Sequence, residues 1–296
     1  MLIDELSELI KEKEIPVFRL AVYEDGKEWE WKFQLANDCN NIYSISKNFT
    51  AAAVGILFDR GILTPDTKVR TLFEPINPAV WETIDERWNE ITVRHLLTQT
   101  TGHGGMFLDM DCDNIFQYGT EDFLTKVLET PLVYDPGTQF AYTDSNFYLL
   151  SRVVAAATGE TLQSFAAREL LKPLMVQGWA WSTCPHGHAM GGTRLFIRVK
   201  DMLHFGRMLL DGGVYDGKRI LSEAFVKEAT APQSAKSDTT FYGYSFWMRA
   251  GNPSFHCGGM LGQKIFVDRK YGRVIAWQAL DKERKTDDLL NYLYKM

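Results

Sequence analysis

The most constraining feature of this sequence is the position of its strand-like segments, which lie near both ends and enclose a long helical middle. Val17 to Val22 and Trp29 to Phe33 alternate apolar and polar residues around Asp25-Gly26, a dipeptide suited to the positive φ angles of a hairpin turn. Further β-rich segments follow much later in the chain: Tyr242 to Met248, Ser254 to Cys257, Lys264 to Val267 and Arg273 to Leu280. The chain lacks the regular alternation of strands and helices that builds a parallel doubly wound sheet.

The middle of the chain, roughly residues 62–200, has the apolar spacing of helices separated by long loops. Another helix is predicted to begin at Ser44 and to end near Gly61. We therefore predict an α+β fold, with an antiparallel sheet formed by both termini, flanking helices and an inserted, mainly helical domain. The predicted sheet domain comprises residues 1–61 and 200–296, the helical domain comprises residues 62–199, and the functional site lies at their junction.

The charge balance and the hydropathy pattern argue against nucleic acid and a membrane as partners. The chain has 296 residues, 45% of them hydrophobic, and a net charge of −6. Binding of nucleic acid requires a concentrated basic face, which is absent here, so no nucleic-acid partner is expected. No run of about 18 apolar residues is present, so no membrane span is expected either.

The N-terminal residues and the cysteines indicate the cellular compartment. The segment Met1–Lys11 has acidic residues where a signal peptide is basic, which predicts a cytoplasmic location. The four cysteines (Cys39, Cys112, Cys184 and Cys257) are scattered, and a chain of this length needs no disulfide framework, so free thiols are expected. No cofactor motif is recognised, and the sequence carries no signature of an oligomeric state.

The segment Ser44-Ile-Ser-Lys47 is a candidate nucleophile motif. Residues three apart on a helix share a face, so the Lys47 amine can lie beside the Ser44 hydroxyl. A serine hydroxyl is a weak nucleophile until a neighbouring base takes its proton, and a desolvated lysine can serve as that base. Two alternatives remain open: Ser44 can be the N-cap of the helix, and about one such four-residue pattern is expected by chance in a chain of this size.

Two further segments carry polar side chains suited to acyl transfer. Tyr142 in Tyr142-Thr-Asp144 can relay a proton to a leaving group, and Asp144 can accept a hydrogen bond from Lys47. In His256-Cys257-Gly258-Gly259, the Gly259 N–H can pair with the Ser44 N–H as an oxyanion hole. Tyr23-Glu-Asp25 matches the first of these patterns and His103-Gly-Gly105 matches the second, so neither pattern is specific by itself. A tyrosine in such a segment more often has a structural role, and this alternative stays open for Tyr142.

The order of the three segments resembles that of the serine β-lactamase and penicillin-binding protein superfamily. The similarity is greatest to the branch with class C β-lactamases, D-alanyl-D-alanine carboxypeptidases and related esterases. It extends over roughly residues 15–280 and includes long blocks, among them residues 91–102, 135–150 and 212–221. The resemblance implies a β-lactamase/transpeptidase-like fold in which Ser44 is acylated, Lys47 and Tyr142 act as a coupled pair, and the Ser44 and Gly259 amides bind the oxyanion.

Two departures from the pattern bear on the substrate. Asp144 stands where many members have asparagine, and its charge should raise the pKa of Lys47 and oppose its use as a base. His256-Cys257-Gly258 replaces the Lys-Thr-Gly of β-lactamases, whose lysine and threonine recognise a substrate carboxylate. We therefore expect a small-molecule ester or amide substrate in preference to a β-lactam, with a catalytically silent ligand-binding or sensor protein of the same fold as the alternative.

Other chemical assignments are weaker. Cys184, His186 and His188 are residue types that bind zinc, yet they lie in one loop without a second ligand cluster nearby in sequence. The chain has no Gly-x-Ser-x-Gly segment, which disfavours the nucleophile elbow of α/β-hydrolases.

Overall fold

The computed structural model describes residues 1–33, 39–105, 107–119 and 122–296. The helices are α1 (Leu2–Glu12), α2 (Ser46–Asp59), α3 (Val69–Phe73), α4 (Val93–Leu97), α5 (Phe123–Glu129), α6 (Ser145–Thr158), α7 (Leu162–Ala166), α8 (Val199–Leu210), α9 (Glu223–Ala229) and α10 (Thr286–Lys295). The strands are β1 (Val17–Glu24), β2 (Lys27–Lys32), β3 (Asn40–Asn41), β4 (Ala180–Trp181), β5 (Leu195–Ile197), β6 (Val214–Tyr215), β7 (Lys218–Arg219), β8 (Ser234–Ser237), β9 (Thr240–Tyr242), β10 (Trp247–Arg249), β11 (Phe255–Gly258), β12 (Lys264–Asp268) and β13 (Arg273–Ala279).

The largest sheet in the described part of the chain is formed by both ends of the sequence, as predicted. Its eight strands follow the order β2-β1-β13-β12-β11-β10-β9-β8, with antiparallel pairing throughout. β1 lies directly beside β13, where Tyr23 pairs with Val274. The α+β fold with an antiparallel sheet from both termini is therefore confirmed, and the domain division at residues 62–199 is retained as a proposal.

The two faces of this sheet bury different sets of helices, because side chains along a strand alternate between faces. On β13, Val274 and Ala276 join the large core that contains the residues of α2, α6 and α8. Ile275 and Trp277 point the other way and pack with apolar residues of α1 and α10. The sheet is thus a middle layer, covered by helices on both sides.

One predicted strand is wrong. The segment from Tyr242 to Met248 forms two strands, β9 and β10, in which Tyr242 pairs with Trp247. The chain reverses within Gly243–Phe246, where the Gly243 N–H donates to the Phe246 carbonyl at 2.9 Å and Ser245 has a φ of +75°. A Cβ at Gly243 would lie 2.1 Å from the Ala229 carbonyl oxygen, so this turn requires glycine.

Candidate active site

Ser44 lies in a short 3₁₀ turn, Tyr43–Ile45, immediately before α2. Tyr43 has a φ of +48°, a left-handed conformation, and its N–H donates to the Asn41 side chain at 2.8 Å. The Ser46 hydroxyl donates to the Tyr43 carbonyl at 2.6 Å and accepts from the Leu195 N–H at 3.0 Å. These bonds fix the turn, and with it the position of Ser44, against β5.

Ser44 is not the N-cap of the helix. The residue at the N-cap of α2 is Ile45, and that of the preceding 3₁₀ turn is Ile42; neither makes a side-chain capping hydrogen bond. The hydroxyl of Ser44 instead accepts a hydrogen bond from the Lys47 ammonium group at 3.2 Å. The capping role that the sequence left open for this serine is therefore wrong.

The Lys47 ammonium group is buried and fully engaged. Its side chain is 1% exposed. Besides Ser44, it donates to the Gly192 carbonyl at 2.8 Å and to the Asp144 carboxylate in a short ion pair. Three acceptors from three parts of the chain match the three donors of an ammonium group.

The charge state of Lys47 follows from two opposed effects. Burial by itself lowers the pKa of Lys47, but the charge of Asp144, with a further contribution from Tyr142, outweighs it and raises the pKa above its ordinary value. Lys47 is therefore an ammonium group at neutral pH, which can donate hydrogen bonds to Ser44 and cannot accept its proton. The direction of this shift is the one predicted from the presence of Asp144.

Tyr142 lies beside the same ammonium group, with the Lys47 Nζ 4.8 Å from the centre of its ring. The ring stacks on Trp247 of β10, with centroids 6.0 Å apart and an interplanar angle of 26°. Tyr242 packs edge-on against the same ring at 6.2 Å. Trp247 of β10 and Tyr242 of β9 thus hold Tyr142, which lies in the loop before α6, beside Lys47.

Gly192 is a site residue that sequence reasoning missed. A Cβ on Gly192 would lie 3.1 Å from the Asp144 carbonyl oxygen, and the preceding Gly191 has a φ of +67° with its Cβ position 2.2 Å from the Phe147 carbonyl. The two glycines let the chain approach α6 closely and bring the Gly192 carbonyl to Lys47. The consecutive glycines were the signal that could have marked this contact.

The third segment reaches the site at the end of β11. A Cβ on Gly259 would lie 2.4 Å from the Ile42 carbonyl oxygen, so β11 can approach the Ser44 turn this closely only because Gly259 has no side chain. The Gly259 N–H donates to the Gln263 carbonyl at 2.8 Å. An oxyanion hole formed by the Gly259 and Ser44 N–H groups stays a prediction. It requires the Gly259 N–H to donate to a substrate oxygen as well as to Gln263.

His256 and Cys257 have different surroundings because adjacent residues on a strand face opposite sides. His256 lines the cleft, and its Nδ1 lies 2.8 Å from the Tyr294 hydroxyl. Burial, together with the charges of Lys264 and Arg249, holds the pKa of His256 well below its usual range, so the ring is neutral at neutral pH. Cys257 lies in the hydrophobic core, where burial raises the pKa of its thiol, and it does not line the cleft.

A cleft of about 390 Å³ opens over these groups. Its walls come from the Ser44 turn, the residue Tyr142, the β8–β12 part of the sheet and the helix α10 with the preceding Arg284. The lining residues are Ser44, Tyr142, Lys236, Thr240, Trp247, Met248, Arg249, His256, Gly258, Gly259, Met260, Lys264, Arg284, Asp287, Leu290 and Asn291. The cleft therefore contains members of all three predicted segments, while Lys47 and Asp144 lie beneath it.

The other candidates form no comparable site. Cys184, His186 and His188 are not brought together as a metal-binding group. Among the residues that the structure describes, no cluster of three or more His, Cys, Asp or Glu side chains could hold a metal ion. His103 is 1% exposed and packs against the Trp88 ring, which is a structural role. Tyr23 is the next-to-last residue of β1, and Asp25 lies in the hairpin turn that follows.

Within the described ranges, no helix has the length and apolar character needed to cross a bilayer. The cytoplasmic location inferred from the N-terminal sequence stays a prediction.

Comparison with known proteins identifies the family. The chain is 27% identical to the 6-aminohexanoate-dimer hydrolase of Paenarthrobacter ureafaciens over 266 residues, which cover 81% of this chain and 65% of that protein. It is 26% identical to penicillin-binding protein 4 of Amycolatopsis lactamdurans over 215 residues, which cover 61% of this chain and 53% of that protein. The chain thus spans less than two thirds of the length of these relatives.

The fold and the family agree. The crystal structure of a penicillin-binding protein from Bacillus halodurans has the same fold, with a TM-score of 0.76 at 18% identity, covering 97% of this chain and 98% of that one. The sequence model of the family described as Beta-lactamase matches residues 2–294. Because that match includes nearly every residue of the chain, this protein belongs to the Beta-lactamase family.

Proposed function

We propose that this protein is a serine hydrolase that acts through an acyl-enzyme on an ester, amide or β-lactam-type small molecule, with Ser44 as the nucleophile. The observation that carries the proposal is the buried Lys47 ammonium group, which donates to the Ser44 hydroxyl at 3.2 Å while Asp144 and Gly192 fix it from below. Burying an ion pair carries a large desolvation penalty, so the Lys47–Asp144 pair is a poor way to stabilise the fold alone. It is well suited to stabilising negative charge that develops on the serine oxygen.

The proposed proton acceptor is Tyr142, since the protonated Lys47 has no lone pair to offer. In its phenolate form Tyr142 takes the Ser44 hydroxyl proton while the Ser44 oxygen bonds to the substrate carbonyl carbon. The resulting oxyanion is bound by the Ser44 and Gly259 N–H groups. As the tetrahedral intermediate collapses, the leaving group takes the proton from Tyr142, and a water molecule repeats the two steps to release the acid and free Ser44.

The relatives support this class of reaction. One is named a hydrolase of an aminohexanoate dimer, and another is named a penicillin-binding protein. We infer from them an acyl-group substrate for this chain as well, without assigning either of their substrates to it.

The decisive test is covalent labelling with a fluorophosphonate probe, followed by intact-mass measurement. One equivalent of probe is expected on the wild-type protein and none on Ser44→Ala. Ser237→Ala, which alters an exposed serine of β8 outside the cleft, is the matched control and should label like the wild type. Labelling that persists in Ser44→Ala would contradict the assignment.

A second candidate function is a catalytically silent ligand-binding or sensor protein. It is favoured by the Asp144–Lys47 ion pair, which removes a base, and by the Gly259 N–H, which is already bonded to Gln263. A panel of short p-nitrophenyl esters, D-amino-acid amides and nitrocefin separates the two functions. Absence of turnover for the whole panel, together with absence of fluorophosphonate labelling, would favour the silent protein.

A further inference from the structure

Gln99 is a buried polar residue that the proposed catalytic steps do not use. It follows the last residue of α4 by two positions, is 0% exposed, and has a φ of +60°. Glycine or asparagine usually occupies this left-handed conformation just after a helix, because it costs free energy for other side chains. Residues held in such a conformation are concentrated at functional sites, so the contacts of Gln99 are informative.

The side-chain amide of Gln99 binds both backbone polar groups of Thr143. Its Nε2 donates to the Thr143 carbonyl at 2.9 Å, and its Oε1 accepts from the Thr143 N–H at 3.3 Å. The pattern is that of two paired residues in a sheet, except that a side chain takes the place of one strand. Thr143 is 0% exposed, so its N–H and its carbonyl depend on a protein partner.

The backbone of Gln99 makes a second contact with the same segment. Its carbonyl accepts from the Ala141 N–H at 2.9 Å. Gln99 therefore binds the residue before Tyr142 and the residue after it. Tyr142 precedes α6, which begins at Ser145, so the hydrogen bonds of that helix do not restrain the backbone around the tyrosine. The contacts of Gln99 supply this restraint.

The orientation of the Gln99 amide is fixed by Asn146, which is also 0% exposed. The Asn146 Nδ2 donates to the Gln99 Oε1 at 2.7 Å, so two N–H donors converge on this oxygen. A rotated amide would place its NH₂ group against both donors and its oxygen against the Thr143 carbonyl. The arrangement is therefore set by the protein itself before any substrate binds.

We propose that Gln99 is a positioning residue for Tyr142, which it keeps beside Lys47 and Ser44 by fixing the backbone on either side of the tyrosine. The proposal rests on the proposed function, because it concerns the proton acceptor of that reaction. Trp247 and Tyr242 pack against the ring of Tyr142. Aromatic packing tolerates a wider range of separations than a hydrogen bond does, so the backbone contacts of Gln99 define the position more sharply.

The test measures the kinetics of fluorophosphonate labelling, in which the Ser44 oxygen bonds to phosphorus, fluoride leaves and the Ser44 proton passes to Tyr142. In Gln99→Met the maximal labelling rate, kinact, should fall by about 10- to 100-fold, because a displaced base transfers the proton less well. The half-saturating probe concentration, KI, should change less than about threefold, because the groups that contact the probe remain.

Gln163→Met is the matched control. The Gln163 amide makes the same two kinds of bond, donating to the Gly187 carbonyl at 2.6 Å and accepting from the Ala189 N–H at 3.2 Å. These residues form a loop outside the cleft. The variant should therefore label with the kinact of the wild type, whereas an equal loss in both glutamine variants would overturn the proposal.

A double-mutant cycle with Tyr142→Phe separates positioning from a general structural role. Tyr142→Phe should lower kinact at least as much as Gln99→Met does. Adding Gln99→Met to Tyr142→Phe should lower kinact by less than a further factor of about three, because the phenol that Gln99 positions is already absent. The same fold-loss in both backgrounds, or an unchanged kinact in Gln99→Met alone, would contradict the proposal.

Gln99→Asn provides a second variant if the methionine variant folds poorly. Asparagine adopts the left-handed conformation readily, yet its side chain is one methylene shorter and cannot bind both groups of Thr143. We expect kinact to fall at least about 10-fold in this variant. A wild-type kinact in folded Gln99→Asn would show that the reach of the amide is unimportant and would overturn the proposal.

Failure of the proposed function gives a different result. If the wild-type protein takes up no fluorophosphonate, hydrogen exchange of the Thr143 amide tests the contact instead. This amide should exchange at least about 10-fold faster in Gln99→Asn than in the wild type, and at the wild-type rate in Gln163→Met. Faster exchange supports the restraint of this segment in a silent protein, and unchanged exchange in Gln99→Asn overturns it.

Discussion

At the scale of single residues, the pairing of Lys47 with Asp144 determines the charge of the lysine that lies beside Ser44. A neutral partner would leave burial as the dominant influence on the lysine, whereas the carboxylate keeps it charged. The proximity of Ser44, Lys47 and Asp144 was predictable from the sequence, because three-residue helical spacing and a known motif order fix it. Lys264 and Gly192 were not predictable, since strand pairing and a glycine-permitted approach between distant segments place them there.

Asp144→Asn tests this control of charge. The raised pKa keeps Lys47 protonated to high pH in the wild type; without the carboxylate, burial should lower that pKa, so the amine loses its proton at lower pH. If catalysis needs the ammonium group, the alkaline limb of the kcat/KM profile should move to lower pH by about one unit or more.

The matched control for this profile is Asp268→Asn, which alters a buried carboxylate that is paired with Arg273 and is not bonded to Lys47. Its alkaline limb should coincide with that of the wild type. A higher rate at neutral pH in Asp144→Asn, with no alkaline shift, would indicate that Lys47 acts as a base.

At the scale of secondary structure elements, the decisive contact is the approach of β11 to the turn that carries Ser44. Gly259 makes this contact possible because it has no side chain. A Cβ atom at this position would lie only 2.4 Å from the Ile42 carbonyl oxygen. Hydrophobic alternation predicted β1, β11, β12 and β13 nearly to their ends. It missed the turn between β9 and β10, because apolar residues continue through that reversal and only Gly243 and Ser245 interrupt them.

Gly259→Ala is expected to push β11 away from the Ser44 turn. Labelling of Ser44 should slow by about 100-fold, the usual loss of one oxyanion donor, and the free energy of unfolding should fall by about 1–3 kcal/mol. Gly258→Ala is the control, because the nearest atoms to its Cβ position lie at 3.8 Å, an ordinary contact. Labelling kinetics and urea unfolding measure both effects, and equal losses in the two variants would contradict the role given to Gly259.

At the scale of the whole molecule, the sheet and its covering helix α8 are joined by charge as well as by apolar packing. Glu28 of β2 forms ion pairs with Arg207 and, at 3.6 Å, with Lys200, both on α8. His204, whose Nε2 lies 3.6 Å from the Glu28 carboxylate, is the largest influence on the pKa of Glu28. Burial opposes this influence, Arg207 adds to it, and the pKa of Glu28 falls from 4.5 to about 2. The sequence alone could not reveal this cluster, since Glu28 and Arg207 are 179 residues apart in the chain.

Glu28→Gln should therefore reduce stability in a pH-dependent way. A carboxylate whose pKa is lower in the folded state contributes stability that is fully present above about pH 4.5 and is lost as the pH falls through about 2. Because the carboxylate is partly solvated, we expect a loss of about 1 kcal/mol at pH 7 that shrinks towards zero near pH 2. Urea unfolding at several pH values measures it, with the exposed-site variant Glu8→Gln as a control that should change stability by less than about 0.5 kcal/mol. A Glu28→Gln loss that is independent of pH would contradict this account.

The pairing of β1 with β13 also determines when the sheet can form during translation. Tyr23 meets its partner only after Val274 has been synthesised. At ribosomal rates of about 5–20 residues per second, the first hairpin therefore waits for roughly 12–50 s before its sheet neighbour exists. The segment with Ser44 emerges early, whereas β11 follows some two hundred residues later, so the nascent chain would carry its proposed nucleophile for most of translation without the strand that completes the cleft. A serine-directed probe would then report finished folding, and a polypeptide still on the ribosome would not react.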